Sequence, residues 1–122
     1  MTKKIVTKND ISIAVIRSDE IILDCTQSAL DLIATVGFCD GCDCVAVNKE
    51  AIAEDFFILS TGLAGDILQK FVNYAKKLAV IGDFSAYTSE PLKDFMYESN
   101  KGNAVFFVPG EAQAIEKLTS KK

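Results

Sequence analysis

The sequence contains no histidine, and Arg17 is its only arginine. Without histidine the chain has no imidazole base, no Ser-His-Asp or Cys-His arrangement and no His-ligated metal site. A single arginine also argues against a guanidinium clamp for phosphate or carboxylate groups. These absences exclude histidine-dependent catalysis and leave the activity open.

Positive charge is sparse as well. Thirteen basic residues stand against 17 acidic ones, giving a net charge of −4, and no basic run is longer than a pair. Nucleic-acid binding needs a clustered positive surface, so we expect no nucleic-acid partner. No apolar stretch reaches the about 18 residues of a membrane span, and no signal peptide is recognisable. Four cysteines in such a chain indicate free thiols in a reducing compartment. The sequence therefore predicts a cytoplasmic protein without membrane contact.

The length of 122 residues predicts one domain, since domains typically have about 150 residues. We expect residues 1–122 to form a single α/β domain in which 119–122 are a frayed tail. No repeat or low-complexity linker divides the sequence.

Apolar residues alternate between strand-like and helix-like spacing along the chain. Two β-branched runs around the polar pair Asn9-Asp10 predict an opening hairpin. The continuous apolar runs 44–47, 78–81 and 104–108 are typical of strands covered on both faces. Helical patterns separate and follow these runs. This alternation predicts a mixed, mainly parallel sheet of about five strands with about four helices.

The first helix is predicted from Thr26 to Val36, where apolar residues recur at helical spacing. Because Gly37 follows directly, we expect it to end the helix in a left-handed conformation. The apolar residues Ala29, Leu32, Ile33 and Val36 are expected to lie on one stripe of this helix.

Ser60, Thr61 and Gly62 stand just before the second long helical pattern, whose apolar stripe begins at Leu63. One interpretation is structural, because hydroxyls at this place cap free N–H groups of the first helical turn. The other is functional, because the positive end of the helix would suit an anion or a phosphate carried by one of the hydroxyls. Both interpretations stay open at this point.

Polar residues follow the predicted parallel strands at their carboxyl ends, where ligands collect in α/β sheets. Glu50, Asp83 and Glu111 would form an acidic rim there, with oxygen atoms suited to Mg²⁺. Charged loops in water are the alternative interpretation, since nothing in the sequence holds two carboxylates in a dry pocket. The full set of candidate rim residues is Asn48, Lys49, Glu50, Asp83, Ser85 and Glu111.

Cys39 and Cys42 form a C-x-x-C motif, with Cys44 just after it and Cys25 upstream. Zinc needs four ligands, so a metal site would require all four thiols to converge. A redox pair is the second option, although the motif precedes a strand rather than a helix. The third option is a structural role, with Cys44 as a small core residue. We favour the structural role and predict neither a metal centre nor a cofactor.

The element order resembles that of the STAS domain, the fold of sulfate-transporter tails and anti-sigma-factor antagonists. Ser60-Thr61-Gly62-Leu63 is similar to the Ser-Ser-Gly-Leu part of the STAS segment at the start of the second helix, and Leu59 stands where that family has an aspartate. One serine of the STAS segment is a phosphorylation switch. The resemblance implies a STAS-like fold and a regulatory phosphoacceptor at Ser60 or Thr61.

Over nearly its whole length, the chain resembles still more closely a small bacterial family described as domain of unknown function 4180. The stretches that carry this resemblance are 28–36, 48–52, 54–57, 59–65 and 81–84. That family brings no assigned activity to the comparison.

We therefore expect a cytoplasmic regulatory or protein-interaction module with Ser60 or Thr61 as its switch. Its partner would be a protein that docks at the start of the second helix and on the loops 48–55 and 83–88. A homodimer is a further option. The alternative function is a small-ligand or nucleotide- and Mg²⁺-binding protein, or an enzyme, that uses the acidic rim. A role without catalysis is favoured, because no set of residues specifies a reaction.

Overall fold

The secondary structure follows from a computed structural model, which describes residues 1–120. Over that range the chain forms five strands and four α-helices. In chain order these are β1 Thr2–Lys8, β2 Ile11–Arg17, α1 Thr26–Ala34, β3 Cys44–Asn48, α2 Leu63–Asn73, β4 Lys77–Ile81, α3 Glu90–Lys101, β5 Val105–Val108 and α4 Glu111–Leu118.

The five strands form one sheet in the order β1-β2-β3-β4-β5. β1 is antiparallel to β2, and β2, β3, β4 and β5 run parallel to one another. The predicted mixed, mainly parallel sheet is thereby confirmed, with the three apolar runs side by side and in the same direction. The reason is that strands linked by crossover helices pair in parallel, whereas a tight turn permits only antiparallel pairing.

A two-residue turn joins the first two strands. Asn9 and Asp10 have φ angles of 54° and 64°, and Lys8 lies opposite Ile11. Positive φ at both central positions defines a type I′ turn, whose twist matches that of the flanking strands. The predicted hairpin is confirmed, and both strands extend further than the β-branched runs indicated.

The sheet separates two apolar layers. One layer contains residues of α1, α2 and α3 with alternate strand residues such as Val45 and Val47. The other contains α4 with the strand residues whose side chains point to the opposite face of the sheet, such as Cys44 and Ala46. Three successive right-handed crossovers that step across the sheet in one direction place their helices on the same face. The last helix follows the edge strand β5 and is free to cover the opposite face.

The predicted end of the first helix is wrong. The α-helix stops at Ala34, and the chain continues through Gly37 as one π-helical turn, Thr35–Cys39. Val36 in this turn is fully buried, and its carbonyl accepts a hydrogen bond from Cys42 N at 2.7 Å. Gly37 thus lies within helical structure, and the glycine with positive φ in the loop that follows is Gly41, at 66°.

The chain stays anchored beyond α4. Thr119 was expected in a frayed tail, but it is 1% exposed, and its carbonyl accepts a hydrogen bond from Asn9 Nδ2 at 3.2 Å. Ser120 is exposed. The remaining tail residues, 121 and 122, lie outside the described residues.

Candidate functional site

The carboxyl ends of β3 and β4 face two long loops. Three 3₁₀ turns, Lys49–Ala51, Glu54–Phe57 and Leu59–Thr61, connect β3 to α2. The second loop, residues 82–89, connects β4 to α3. In parallel α/β sheets this edge is where ligands and partners bind, because the loops and the helix N-termini meet there.

Aromatic side chains fix the two loops to each other. Phe57 of the first loop stacks on Tyr87 of the second, with ring centroids 5.1 Å apart, and lies 6.3 Å from Phe84. Phe84 in turn meets Phe107 of β5 edge-on at 5.7 Å. Aromatic pairs in this range of separation stabilise beyond their burial. The loops therefore form one surface anchored to the sheet.

Lys49 crosses from the first loop to the second. Its ammonium lies 5.2 Å from the centre of the Tyr87 ring, within the range of a cation–π interaction. A Cβ atom at position 82 would approach the Lys49 side chain to 2.8 Å, so only glycine fits beneath it. Gly82 thus allows Lys49 to reach Tyr87.

An open groove of about 270 Å³ runs beside this contact. Burial raises the pKa of Tyr87 to about 12, and the negative charge of Glu54 adds to the shift, so Tyr87 keeps its proton to a higher pH than an exposed tyrosine does. The residues that line the groove are Ile21, Lys49, Glu50, Ile52, Glu54 and Tyr87.

Asn48 lies at this edge but is buried, with 8% of its surface exposed. Its Oδ1 accepts from Ser18 N at 2.9 Å, and its Nδ2 donates to Ser18 O at 2.7 Å and to Glu50 Oε1 at 3.2 Å. These bonds satisfy both polar ends of the amide, and they tie the loop after β2 to the end of β3. Asn48 therefore positions the loops, with its amide engaged by Ser18 and Glu50.

The three carboxylates of the predicted acidic rim have separate partners. Glu50 accepts from Asn48, and Glu111 forms an ion pair with Lys4 at 2.7 Å. The backbone N–H of Ser85 donates to Asp83 Oδ1 at 2.9 Å and holds the pKa of that carboxyl below its ordinary value; the charge of Lys49 contributes less. Among residues 1–120, no three His, Cys, Asp or Glu side chains come close enough to share a metal ion.

The segment Ser60–Gly62 leads directly into α2. Gly62 is the N-cap residue with a φ angle of 78°, and Thr61 Oγ1 accepts from Leu63 N at 3.2 Å. The Thr61 hydroxyl also donates towards two carbonyl oxygens, those of Asp55 and Ile58, each 2.8 Å away. Thr61 thus has the structural capping role that the sequence suggested for this segment.

Ser60 differs from its neighbour. It is exposed, and it stands two residues before the N-cap of α2. Ile58 beside it is an exposed apolar residue, so the surface around Ser60 is partly apolar. Of the two candidate hydroxyls, Ser60 is therefore the one whose modification leaves the local hydrogen bonds intact.

The four cysteines divide into two exposed and two buried thiols. Cys25 and Cys39 are exposed, whereas Cys42 and Cys44 are buried, and all four are free. Burial raises the pKa of Cys42, with contributions from Asp40 and Asp43. A reactive redox thiol needs a lowered pKa, so the surroundings of Cys42 oppose that role.

A larger cavity, of about 480 Å³, lies at the other end of the sheet. Lys77 and Lys117 line it together with Phe106. Lys117 lies in the last turn of α4, where a cation stabilises the negative end of the helix. None of the candidate residues named from the sequence lines this cavity.

The family described as Domain of unknown function (DUF4180) matches residues 8–118, which is nearly the whole chain. The chain belongs to the DUF4180 family. No curated protein and no solved structure matches it. Within residues 1–120 of this DUF4180 protein, every helix is too short or too polar to cross a bilayer.

Two features of the DUF4180 surface were not predicted from the sequence: the place of Ile21 in the groove and the contact of Lys49 with Tyr87. Backbone bonds join residues 21–23 to residues 51–53, for example Ile22 N to Ala51 O at 2.7 Å, and so bring Ile21 to the groove. The short apolar run Ile21–Leu23 was a usable signal. For the contact of Lys49 with Tyr87 the sequence offers only the positions of the two residues in loops.

Proposed function

We propose that this DUF4180 protein is a STAS-like regulatory and protein-interaction module of the cytoplasm, in which phosphorylation of Ser60 switches partner binding. The observation that supports it most is the place of Ser60, exposed directly ahead of α2 and next to the two loops held together by Phe57 and Tyr87. The docking face consists of the segment Ser60–Gly62 with the loops 48–55 and 83–88.

The order of elements supports the STAS-like part of the proposal. An opening hairpin is followed by three helix–strand units and a closing helix, and Ser60–Leu63 lies where the second helix begins. That is the place of the regulatory serine in STAS domains. Leu59 replaces the aspartate of that family, so the switch proposed here uses the serine and the helix end without a neighbouring carboxylate at that position.

Charge determines what a phosphate at Ser60 would do. The positive N-terminal end of α2 stabilises a nearby anion, so the fold tolerates the modification. Asp55 precedes Ser60, and Asp66 lies in the first turn of α2. A phosphate adds about −1.5 to −2 charge beside these acids and beside the apolar Ile58. A partner that buries Ile58 on binding would have to remove water from the phosphate, which is unfavourable, so phosphorylation releases it.

The test is affinity capture from the source cells with the wild-type chain, Ser60→Asp and the matched control Ser120→Asp. Ser120 is exposed and lies past α4, so the control adds the same charge away from the docking face. We expect a protein retained by the wild type and by Ser120→Asp and reduced about tenfold with Ser60→Asp, which corresponds to about 1.4 kcal/mol. Equal retention by the two Asp variants would contradict the docking face.

Phosphopeptide mass spectrometry of the native protein tests the switch separately. We expect phosphate on Ser60 under some growth conditions and none on Thr61, whose hydroxyl is engaged with backbone carbonyls. If Ser60 is unmodified under every growth condition, the module has no switch at this position.

A further inference from the structure

One edge of the sheet is closed and the other is open. At the β5 edge, the side chain of Asn100 bonds to both backbone groups of Phe107, at 2.7 and 3.1 Å. At the opposite edge, β1 pairs only with β2 among the described residues. β1 is seven residues long, contains no proline and stays in regular register throughout. Such an edge is a template for another strand.

The turn determines which backbone groups of β1 point outward. Lys8 and Ile11 flank a two-residue type I′ turn, so they exchange both hydrogen bonds with each other. Bonded and non-bonded pairs alternate from there. The hydroxyls of Thr7 and Ser12 lie 3.0 Å apart, in keeping with the closer side chains of a non-bonded pair. The residues whose N–H and C=O groups face the open edge are therefore Lys3, Ile5 and Thr7.

Lysines on an edge strand normally discourage pairing with another chain. Here two of them are already neutralised within the chain: Lys3 pairs with Asp40 and Lys4 with Glu111, each at 2.7 Å. The middle of β1 therefore carries no unpaired charge that would repel a second strand.

We propose that β1 pairs with β1 of a second copy, antiparallel, about a twofold axis at Ile5. Ile5 is the middle residue of Thr2–Lys8, so this register uses the whole strand. Ile5 then faces the partner's Ile5, Lys3 faces the partner's Thr7, and Lys4 faces the partner's Val6. No lysine lies opposite a lysine, and the outward-facing residues Lys3, Ile5 and Thr7 all lie in hydrogen-bonded pairs, Lys3 with the partner's Thr7 and Ile5 with its own equivalent. The two sheets become one.

The surface around the axis suits a second copy. Ile5 is 47% exposed, and pairing buries it against its equivalent. It shares its face of the sheet with α1, and an open groove of about 360 Å³ lies on that face between Lys3 and α1. Met1, Ile16, Ile22 and Leu32 give this groove an apolar lining. β1 contains none of the residues of the docking face, so the dimer does not depend on the proposed function.

Analytical ultracentrifugation of the full chain over a range of concentrations tests the dimer. Ile5→Pro removes an N–H that faces the open edge and leaves the bonds to β2 in place, a position at which sheets tolerate proline. Ile5→Lys places two like charges opposite each other at the axis. We expect a wild-type dimer and a dissociation constant raised about tenfold or more in both variants, with the effect of Ile5→Lys smaller at high salt.

Val72→Lys is the control, because Val72 is similarly exposed, at 55%, and lies on α2 away from β1. It should dimerise like the wild type, and circular dichroism should show that all variants are folded. Hydrogen exchange locates the contact: the amides of Lys3, Ile5 and Thr7 should be protected in the wild type and exchange fast in Ile5→Lys. A wild type that is monomeric at every concentration overturns the proposal, as does a dimer that neither Ile5 variant weakens or one in which these amides exchange fast.

Discussion

The carboxamide of Asn100 makes both hydrogen bonds that a neighbouring strand would offer Phe107. Its Oδ1 accepts from Phe107 N at 2.7 Å, and its Nδ2 donates to Phe107 O at 3.1 Å. Asn100 belongs to α3, the helix that precedes β5 in the chain. A side chain thus substitutes for a strand and closes one edge of the sheet, while β1 leaves the other open.

Asn100→Ala removes both bonds and leaves the backbone groups of the buried Phe107 without these partners. An unsatisfied buried polar group costs about 1–3 kcal/mol, so we expect a loss of that order in the free energy of unfolding. Urea denaturation followed by circular dichroism measures it. Asn73→Ala is the control: Asn73 is exposed at the end of α2, and its replacement should change stability by less than about 0.5 kcal/mol. Equal stability of the two variants would show that the Asn100 bonds contribute nothing.

Gly62→Ala is expected to destabilise the fold through the backbone alone. Gly62 has a φ angle of 78°, and a Cβ atom there would meet no atom within 4 Å. The left-handed conformation costs a non-glycine residue about 1–2 kcal/mol. Thermal unfolding should therefore show a loss of about 1 kcal/mol, with secondary structure unchanged. An unchanged melting temperature would mean that the turn before α2 relaxes to another conformation.

Ala75→Gly is expected to stabilise the fold, in contrast to Gly62→Ala. Ala75 follows the end of α2 with a φ angle of 55°, and Lys76 N closes the turn by donating to Phe71 O at 2.9 Å. Glycine relieves a left-handed strain of about 1–2 kcal/mol in the folded chain. Its greater conformational freedom stabilises the unfolded chain by about 0.4–1 kcal/mol, which offsets part of that gain. We expect a net gain of about 0.5–1 kcal/mol in urea denaturation. A loss of stability would contradict the left-handed assignment.

Tyr87 should ionise later than an ordinary tyrosine. Burial, with the charge of Glu54 as a smaller cause, raises its pKa to about 12, against about 10 for a free side chain. The folded chain then keeps a proton that the unfolded chain loses, so the free energy of unfolding falls as the pH rises from about 10 to about 12. Ultraviolet titration should show this late step in the wild type and not in Tyr87→Phe. Its persistence in Tyr87→Phe would assign the shift to another tyrosine.

The thiols should fall into two classes of reactivity. Cys25 and Cys39 are exposed, whereas burial raises the pKa of Cys42 and brings that of Cys44 to about 11. Since the thiolate is the reactive form, a brief pulse of iodoacetamide at neutral pH should label the two exposed cysteines and spare the two buried ones. Mass spectrometry counts the adducts, and unfolding in urea should make all four accessible. Fast labelling of Cys42 in the folded chain would contradict its burial.

Local patterns were sufficient for the sheet. The run Cys44–Val47 has no polar residue, which is typical of a strand covered on both faces, and Asn9-Asp10 is suited to the positive φ angles of a two-residue turn. Both features depend on residues close together in the sequence, so they could be recognised without coordinates. The end of the first helix could not, because Gly37 matches the local pattern of a helix stop, whereas the chain continues through it as a π-helical turn in which Val36 is buried.

The candidate site, like the fold, could be predicted from the sequence only in part. The rule that loops gather at the carboxyl ends of parallel strands placed Lys49 and the loop 83–88 together from the sequence. It treated Asn48 as a candidate for ligand binding, whereas the fold buries Asn48 and uses its amide to hold Ser18. The sequence does not distinguish a ligand-binding polar residue at the end of a strand from a structural one, because the hydrogen-bond partners of that residue come from another part of the chain.

By itself, the sequence determined the strand and helix types, the hairpin and the loops that form the site, since hydrophobic period and turn chemistry act over a few residues. Only the tertiary structure decided which hydroxyl before α2 is engaged, which carboxylates stay apart and which edge of the sheet remains open. These depend on contacts such as Thr61 with Asp55, Lys4 with Glu111 and Asn100 with Phe107, which the folded backbone alone brings within hydrogen-bonding distance.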